Sequence, residues 1–465
     1  MAVFDLPAQF RFGVSTSATQ IEGAAREDGR GTSIWDSFAD HPGHILDGST
    51  PTVAADHYHR YREDVELIAE LGVDDYRFSI AWPRIVPDGD GEINTAGLDF
   101  YDRLVDALLE KGVRPVPTLY HWDLPLTLQH QGGWMTRNTA HAFARYTEKV
   151  AERLSDRVTT WLTLNEMSVH TLYGHALTEH APGLGLVLDA LPAAHHQLLG
   201  HGLAVQALRA AGATTSGVPS QHFPVVPAST NDDDVFAATM FETLTNWLFS
   251  DPILLGTYPS DEIRQMIRAG INRTEGELDD DLATISQPLD MYGVNYYEPT
   301  RIAAPRTDRD SRGVLEVDIP DGLPFAPVAI EGVERTDFGW AVVPSGLTDI
   351  LITLRDRYPQ LPPLIVTESG ASYHDRPDEN GAVHDERRIR FLEGHLGAVR
   401  HAIAAGVDVR GFYVWSILDN FEWAAGYREQ FGLVFVDWTT LERTRKDSWF
   451  WYRDTITASH EAASA

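Results

Sequence analysis

Two kinds of hydrophobic pattern alternate along the chain. Short apolar runs rich in β-branched residues, such as residues 364–366, are typical of strands buried on both faces in a parallel sheet. Between these runs, apolar residues recur at helical spacing, as in Tyr61, Val65 and Ile68, with Gly72 at the expected helix end. Strands are predicted over residues 10–15, 74–82, 114–122, 159–166, 216–227, 288–297, 364–368 and 409–423. Helices are predicted over residues 56–72, 98–112, 139–155, 190–212, 234–249, 344–357 and 385–405, and from about residue 446 onward.

Each predicted strand is followed by a helical segment, and this alternation predicts a parallel sheet. Eight such units in one chain favour an α/β fold of the (β/α)8 TIM barrel type over an open, doubly wound sheet. No glycine-rich phosphate-binding motif follows a strand, which disfavours the nucleotide-binding folds. A single domain over residues 1–465 is therefore expected, with its active site at the C-terminal ends of the strands.

Some segments fit the barrel pattern less well than others. The fifth predicted strand contains Pro219 and Pro224, each of which removes a backbone donor from a sheet. Residues 300–337 have weak periodicity and many Pro, Gly, Asp and Arg residues, so a long irregular loop is predicted there. The acidic residues 275–281 are expected in a solvated loop or a helix start, and Asp56 is a candidate helix N-cap.

Composition limits the classes of partner. The formal net charge of −31 disfavours nucleic acid and anionic membrane surfaces, which would both repel the protein. The chain has no cysteine, so disulfides and thiolate metal sites are excluded. No basic segment followed by an apolar stretch opens the sequence, and no apolar run is long enough to span a bilayer. A cytoplasmic location without a membrane segment is expected, whereas the oligomeric state is not predicted.

Polar and aromatic residues are concentrated at the ends of the predicted strands, where barrel enzymes hold their active sites. Glu166 ends the fourth strand and Glu368 ends the seventh. The other strand ends contribute Gln20, Arg77, His121, Trp122, Asn165, Asn295, Tyr297, Trp415, Glu422 and Trp423. The histidine pairs of the chain lie instead at a helix start and within a helix, so neither a metal site nor a cofactor is predicted.

A pair of carboxylates without a metal is the arrangement that cleaves glycosidic bonds. One carboxyl group must be protonated beside the leaving oxygen, and the other must be ionised to attack the sugar or to activate water. Arg77 is placed to keep one carboxylate ionised, and Tyr297 to donate a hydrogen bond to it. A single glutamate at a strand end is more often a solvated charge or a helix cap, but two with these neighbours favour catalysis.

The chain resembles the family 1 glycoside hydrolases, the β-glucosidase group, over nearly its whole length. The segments that carry this resemblance are FGVSTSATQIEG, YRFSIAWPRI, LYHWDLP, WLTLNE, GVNYY, VTESG and WSILDNFEWAAGY. Each motif alone is weak or moderate evidence, but together, in this order and at these intervals, they are highly specific. The resemblance implies a retaining β-glucosidase that acts on small β-glycosides or oligosaccharides without a cofactor.

The resemblance also implies a role for each matching residue. By this resemblance, Glu368 would be the nucleophile and Glu166 the acid/base. Arg77, Tyr297 and Asn295 would support the nucleophile. The residues that would hold the sugar are Gln20, His121, Trp122, Asn165, Trp415, Glu422 and Trp423. Trp340 and Phe431 would border the leaving group, although a core role is equally consistent with their sequence context.

Three positions depart from the family pattern. Met167 stands where the family has a proline after the acid/base glutamate, and a proline would restrict the backbone there. Ser369 stands where the family has an asparagine after the nucleophile. Gln221 aligns with an asparagine on the fifth strand, in an atypical context. These changes leave both carboxylates in place.

Four other functions remain as alternatives. A 6-phospho-β-glycosidase is disfavoured because Glu422 would repel a phosphate dianion and the following residues lack the Lys and Tyr that such enzymes carry. A thioglucosidase lacking the acid is disfavoured by Glu166. A sugar-binding protein without activity would be expected to have lost one carboxylate or Tyr297. A metal-dependent barrel hydrolase would lose activity in the presence of a chelator.

Overall fold

The apolar runs form a closed parallel barrel in the computed structural model of the chain, which describes residues 4, 6–305 and 323–464. The strands are β1 (Arg11–Ser15), β2 (Asp75–Ser79), β3 (Arg114–Tyr120), β4 (Thr160–Leu164), β5 (Thr215–Gln221), β6 (Val225–Pro227), β7 (Met291–Asn295), β8 (Thr300–Ala303), β9 (Ala326–Val328), β10 (Leu364–Ser369), β11 (Val409–Trp415), β12 (Val434–Val436) and β13 (Arg443–Arg445). Within these described ranges the barrel order is β1-β11-β10-β7-β5-β4-β3-β2, and β1 closes it by pairing with both β11 and β2.

The barrel confirms the predicted (β/α)8 fold. All barrel pairs are parallel, and each barrel strand lies within a segment predicted as a strand or overlaps it closely. Strands β2, β4, β7 and β10 are buried at every position, as expected for parallel strands covered on both faces. The parallel strands all point the same way, so their C-terminal residues meet at one end of the barrel.

Helices surround the barrel. They are α1 (Ala18–Ile21), α2 (Ile34–Ala39), α3 (His57–Leu71), α4 (Trp82–Ile85), α5 (Thr95–Glu110), α6 (Leu126–His130), α7 (Arg137–Leu154), α8 (Met167–Val169), α9 (Leu191–Ala210), α10 (Asp232–Glu242), α11 (Leu248–Leu255), α12 (Asp261–Gly270), α13 (Glu275–Ile285), α14 (Pro344–Arg357), α15 (Glu386–Ala404) and α16 (Asp447–Ser464). Residues 170–176 and 243–247 form π-helical turns, and three short 3-10 turns cover residues 133–135, 187–190 and 423–425. The largest hydrophobic cluster lies between the helices and the barrel, with Trp82, Trp134 and Tyr146 fully buried.

The fifth predicted strand divides into two in the structure. Residues 215–221 form β5 inside the barrel, with Pro219 opposite Gly293 of β7, whereas residues 225–227 form β6 in a separate sheet. Pro219 cannot donate to the sheet, but its carbonyl oxygen accepts a hydrogen bond from the Glu166 backbone N–H at 2.9 Å. The prediction of one continuous strand over residues 216–227 was therefore wrong, although residues 215–221 do form a barrel strand.

Part of the predicted irregular loop has regular structure. Strands β8 and β9 lie within residues 300–337 and join β6 in a three-stranded sheet. This sheet covers a small apolar cluster that includes Phe241, Ile302 and Phe325. The prediction of a loop without secondary structure was therefore wrong for these strands. Residues 306–322 lie outside the described residues.

Two local predictions have mixed outcomes. The acidic residues 275–281 begin α13, where the Thr274 hydroxyl caps the helix and the Glu277 carboxylate accepts a hydrogen bond from the Thr274 backbone N–H. Asp56 does precede α3, but its φ of 56° is left-handed and its carboxylate bonds to the His59 ring instead of the helix backbone. The predicted helix end at Gly72 is confirmed, since this residue has a φ of 80°.

Candidate active site

A cavity of about 530 Å³ opens at the C-terminal ends of the barrel strands. Most of the residues predicted from the strand ends line it directly: His121, Trp122, Glu166, Tyr297, Trp340, Glu368, Trp415, Glu422, Trp423 and Phe431. The remaining predicted residues, Gln20, Arg77, Asn165 and Asn295, are fully or almost fully buried and contact the lining residues through hydrogen bonds. The structure thus brings all the sequence-predicted site residues to one place.

Glu368 lies in β10 between a cation and a hydroxyl donor. Arg77, which projects from β2, donates from Nη1 to Glu368 Oε1 at 2.5 Å, and the Tyr297 hydroxyl donates to Oε2 at 2.7 Å. Burial, followed by the charge of Glu368, raises the pKa of Tyr297 well above its usual range, so the hydroxyl keeps its proton. Both oxygens of Glu368 therefore accept hydrogen bonds, and the carboxylate forms an ion pair with the buried Arg77 guanidinium.

Glu166 follows β4 and lies in a different environment. Its side-chain partner is the Asn295 amide, which donates to Oε1 at 2.8 Å. Asn295 was expected to support Glu368, but its amide N–H groups contact Glu166 and Asn165 instead. Burial, and then the nearby negative charge of Glu368, raises the pKa of Glu166 to about 8. Its backbone has a φ of 45°, a left-handed conformation that costs a non-glycine residue on the order of 1–3 kcal/mol. This backbone turn lies where the chain leaves the strand and enters α8.

A hydrogen-bonded network connects the surroundings of the two carboxylates. Arg77 donates from Nη2 to Asn165 Oδ1 at 2.7 Å, and Asn295 donates to the same oxygen at 3.2 Å. Asn295 in turn accepts from the Thr367 hydroxyl at 2.6 Å. Asn295 also donates to Glu166, so these contacts fix the orientation of both amides. They connect Glu166, through Asn295 and Asn165, to the Arg77 guanidinium that donates to Glu368.

His121 lines the cavity and has one ring nitrogen without a hydrogen-bond partner among the described residues. Its Nε2 lies 3.0 Å from Asn165 Nδ2, and Asn165 Nδ2 can only donate, so Nε2 accepts. Burial, and then the charge of Arg77, lowers the pKa of His121 well below its usual range, which keeps the ring neutral. The single ring proton therefore lies on Nδ1, which is buried and has no hydrogen-bond partner in the described residues. This N–H is available to a ligand hydroxyl.

Glu422 and Gln20 form a second polar group on the cavity wall. Gln20 donates from Nε2 to Glu422 Oε2 at 3.2 Å and to Asn420 Oδ1 at 2.9 Å. The Ser17 hydroxyl donates to Gln20 Oε1 at 2.6 Å, so the orientation of the amide is determined. Burial, followed by the charge of Glu429, raises the pKa of Glu422 well above its usual range. The carboxyl group is poorly solvated and can bind ligand hydroxyls strongly.

Aromatic rings form two separate walls. The His121 and Trp415 rings are stacked with centroids 5.8 Å apart, and the Trp122 and Trp423 centroids are 4.7 Å apart. Near the mouth, Trp340 packs against Tyr297 at 5.2 Å and against Phe431 at 5.6 Å. One wall therefore surrounds the residues predicted to hold the sugar, and the other lies where the leaving group was expected.

Other residues of the site were not predicted. The cavity lining also includes Tyr173, His180, Gln221, Glu298 and Phe338. Glu298 had a sequence signal, because it directly follows Tyr297 at the end of a barrel strand. Tyr173 and His180 had none, since they come from the irregular segment after α8. Their position in the cavity depends on tertiary structure.

The three departures from the family pattern have distinct surroundings. Met167 is buried and forms the first residue of α8, a position that a proline also suits. Ser369 and Gln221 are buried, and Ser369 Oγ and Gln221 Oε1 have no hydrogen-bond partner in the described part of the chain. Gln221 lines the cavity, so its free oxygen faces a region that a ligand can reach. None of the three contacts an oxygen of Glu368.

The described residues contain neither a cluster suited to a metal ion nor a helix able to cross a membrane. No group of three or more histidine, aspartate or glutamate side chains in residues 4, 6–305 and 323–464 is arranged to hold a metal ion. Among the same residues, no helix has the length and apolar character needed to cross a membrane. The histidine pairs have protein partners instead, since His57 bonds to Asp64 and His195 bonds to Tyr258 and Asp281.

The chain belongs to glycosyl hydrolase family 1, whose family model matches residues 3–461. It is 47% identical to thermostable beta-glucosidase B of Thermobispora bispora, over 97% of this chain and 90% of that one. It is 44% identical to a bifunctional beta-D-glucosidase/beta-D-fucosidase of Bifidobacterium breve, over 98% and 99% of the two chains. Among solved structures, beta-glucosidase from Thermotoga maritima in complex with deoxynojirimycin superposes with a TM-score of 0.90 at 39% identity, covering 98% of this chain and 99% of that one.

Proposed function

We propose that the protein is a retaining β-glucosidase that releases terminal non-reducing β-D-glucosyl residues from small β-glycosides or oligosaccharides. The observation that carries this proposal is the pair of buried carboxyl groups with opposite surroundings. Glu368 has Arg77 and Tyr297 as donors, whereas the pKa of Glu166 is raised to about 8 by burial and by the charge of Glu368. The activities named for the relatives agree with this reaction. The whole of residues 1–465 would act as one catalytic domain.

In the first step, the Glu368 carboxylate attacks the anomeric carbon. The bond between this carbon and the leaving oxygen breaks, and Glu166 gives its proton to that oxygen. A glycosyl ester of Glu368 forms, so the negative charge of Glu368 disappears. Because this charge is one of the causes that raise the pKa of Glu166, ester formation lowers that pKa and prepares Glu166 to act as a base.

In the second step, Glu166 removes a proton from a water molecule. The water oxygen attacks the anomeric carbon, the ester bond to Glu368 breaks, and the sugar leaves with its original configuration. Glu166 ends the cycle protonated and Glu368 ends it ionised. Arg77 and Tyr297 stabilise the carboxylate that is released, and Asn295 supports the Glu166 side of the site.

The sugar would be held by the polar and aromatic groups around the two carboxylates. Glu422, oriented by Gln20, and the Nδ1–H of His121 bind its hydroxyls, with Asn165 as a further amide. Trp415 provides an aromatic face below the ring, and Trp122 and Trp423 complete the same wall. Trp340 and Phe431 border the leaving group. We also expect β-fucosides to be substrates, since one relative is named as a beta-D-glucosidase/beta-D-fucosidase. Hydrolysis of β-galactosides is measured in the same substrate panel.

A 6-phosphorylated sugar is a poorer candidate substrate. The described residues that line the cavity include no Lys or Arg. The wall beside Gln20 instead presents the carboxyl group of Glu422. A phosphate dianion would therefore be buried without a counter-charge, which costs several kcal/mol. The unphosphorylated glucoside is the better match to this electrostatic environment.

The test is hydrolysis of chromogenic aryl β-glucosides by the wild type and by Glu368→Ala. The panel includes the β-galactoside, the β-fucoside and the 6-phospho-β-glucoside, each with and without a chelator. Fast turnover of the glucoside that is insensitive to the chelator and lost in the variant supports the proposal. Turnover of the phosphorylated sugar alone overturns the assigned substrate. Absence of any turnover by folded protein supports a sugar-binding function instead.

Stereochemistry is tested separately. Proton NMR of the first product formed from an aryl β-glucoside distinguishes the β-anomer of glucose from the α-anomer. We expect the β-anomer to appear first and then to mutarotate. An initial α-anomer would mean that water attacks directly and that Glu368 is a general base.

A further inference from the structure

A further carboxyl group, that of Glu298, lies beside the aromatic residues expected to border the leaving group. Glu298 directly follows Tyr297, is only partly buried and lines the cavity together with Trp340 and Phe338. Its Oε2 accepts a hydrogen bond from the Ala341 backbone N–H at 2.7 Å. Its Oε1 has no hydrogen-bond partner in the described part of the chain. One oxygen therefore anchors the side chain to the wall, and the other is available to a ligand.

Glu298 shares the cavity with Glu166 and Tyr173. Burial is the main cause that raises the pKa of Tyr173, and the charges of Glu298, Glu179 and Glu166 add to it. The charges of Glu298 and Glu166 therefore both act on the Tyr173 hydroxyl. In the proposed reaction Glu166 protonates the leaving oxygen. A leaving group bound beside Glu166 therefore lies within the electrostatic range of Glu298.

The leaving-group side has no compensating cation among the described residues. The cavity lining contains five glutamates, Glu166, Glu179, Glu298, Glu368 and Glu422, but neither Lys nor Arg. Arg77 lies behind the lining and pairs with Glu368. Arg335 weakly opposes the effect of burial on Glu298, but its guanidinium donates to the backbone oxygens of Gly339 and Ile330. Burial is the dominant cause, and it raises the pKa of Glu298 to about 7.

We propose that Glu298 is a specificity-determining residue that accepts a hydrogen bond from a hydroxyl or ammonium group of the leaving group and disfavours leaving groups that carry a carboxylate. This inference rests on the proposed β-glucosidase function. The apolar surfaces of Trp340 and Phe338 contact the body of the leaving group, and Glu298 selects among its polar substituents. The preferred leaving groups are flat or ring-shaped, neutral or cationic, and carry a hydrogen-bond donor.

The test compares three aryl β-glucosides whose para substituents are aminomethyl, hydroxymethyl and carboxylate. Glucose release is measured for the wild type and for Glu298→Gln at about pH 8, where most of the Glu298 carboxyl group is ionised. The amide keeps an oxygen that can accept from Ala341, so the variant should retain its fold and differ in charge. We expect the ratio of kcat/KM for the aminomethyl substrate to that for the carboxylate substrate to fall about threefold to tenfold in the variant.

The comparison of ratios removes differences in intrinsic leaving-group reactivity, because each substrate is its own reference between the two proteins. Glu110→Gln, an exposed glutamate at the end of α5, gives the same change in net charge away from the cavity and should leave the ratio unchanged. An unchanged ratio in Glu298→Gln, with all three substrates hydrolysed, overturns this inference and leaves the proposed function intact. Absence of glucose release from every substrate by the wild type overturns the proposed function itself.

Discussion

Glu166 and Glu368 both lie at the C-terminal ends of barrel strands, yet their surroundings differ in nearly every respect. Glu368 receives hydrogen bonds from a guanidinium and a phenolic hydroxyl, whereas Glu166 receives one from the neutral Asn295 amide. Burial of Glu166 raises its pKa to about 8, with the charge of Glu368 as the second cause. Two glutamates at strand ends therefore have different electrostatic surroundings, and the roles proposed for them follow from this difference.

Removing Glu368 should have the largest effect. We expect Glu368→Ala to lose about a millionfold in kcat for an aryl β-glucoside, because no group remains to form the covalent intermediate. Added azide should restore part of the activity by attacking the sugar from the vacated face, and the product should be the α-glucosyl azide. NMR of the azide product checks this. A β-configured product would contradict the assignment of Glu368 as the nucleophile.

Removing the acid should have a smaller effect that depends on the leaving group. We expect Glu166→Ala to lose about a hundredfold to ten-thousandfold in kcat/KM on a glucoside with a poorly acidic leaving group, and much less on a dinitrophenyl glucoside. The reason is that an acidic phenol leaves without being protonated. Azide should here give the β-glucosyl azide, because it attacks the intact glycosyl-enzyme from the opposite face. Equal losses on both substrates would mean that Glu166 is not the acid.

Weakening the donor set of Glu368 should have an intermediate effect. Tyr297→Phe removes the hydroxyl that donates to Oε2, and a hydrogen bond to a charged group contributes about 1.5–3 kcal/mol. We expect a loss of about tenfold to a hundredfold in kcat/KM in steady-state assays. Tyr296→Phe is a matched control, because the hydroxyl of Tyr296 donates to the Val343 carbonyl oxygen instead. Similar losses in both variants would indicate a general packing defect.

The smallest effect should be on stability. The pKa of Glu166 is raised in the folded state to about 8 from a usual value of 4.5, so the folded protein binds this proton more tightly than the unfolded chain. The associated stability is present below about pH 4.5 and is lost as the pH rises through about 8. Glu166→Gln cannot ionise, so we expect its Tm to exceed that of the wild type by about 2 °C or more near pH 8.

Thermal unfolding of both proteins at several pH values would measure this difference. The difference in Tm should shrink as the pH falls toward about 4.5. A difference that stays constant over this range would show that the substitution acts through packing and not through the ionisation of Glu166.

Local sequence patterns were sufficient to predict the barrel and the position of its active end. Burial on both faces gives a parallel strand an uninterrupted apolar run, and this signal depends only on neighbours in sequence. The segment of residues 216–227 shows the limit of such reasoning. Its break into β5 and β6 depends on pairing with β7 and β8, which are more than seventy residues away.

The composition of the candidate site was predicted, and so was the pairing of Arg77 and Tyr297 with one carboxylate, but its other interactions were not. The sequence places Glu166, Glu368, Arg77 and Tyr297 at strand ends, and the resemblance to the family adds their expected roles. The sequence contains no information on which oxygen each donor contacts. It also gives no sign of the Arg77–Asn165–Asn295 network that joins the surroundings of Glu166 and Glu368. Tyr173 reaches the cavity from an irregular segment, where periodicity carries no signal.

What the sequence by itself determined is therefore the order of the strands and the residue types at their ends, because strand propensity and burial patterns are local. What only the tertiary structure decided is the difference between Glu166 and Glu368, and the exposure of one Glu298 oxygen to the cavity. Burial, distance and hydrogen-bond partners depend on contacts between residues far apart in the chain. These contacts determine the energy of a charge in the site, and so they determine its chemistry.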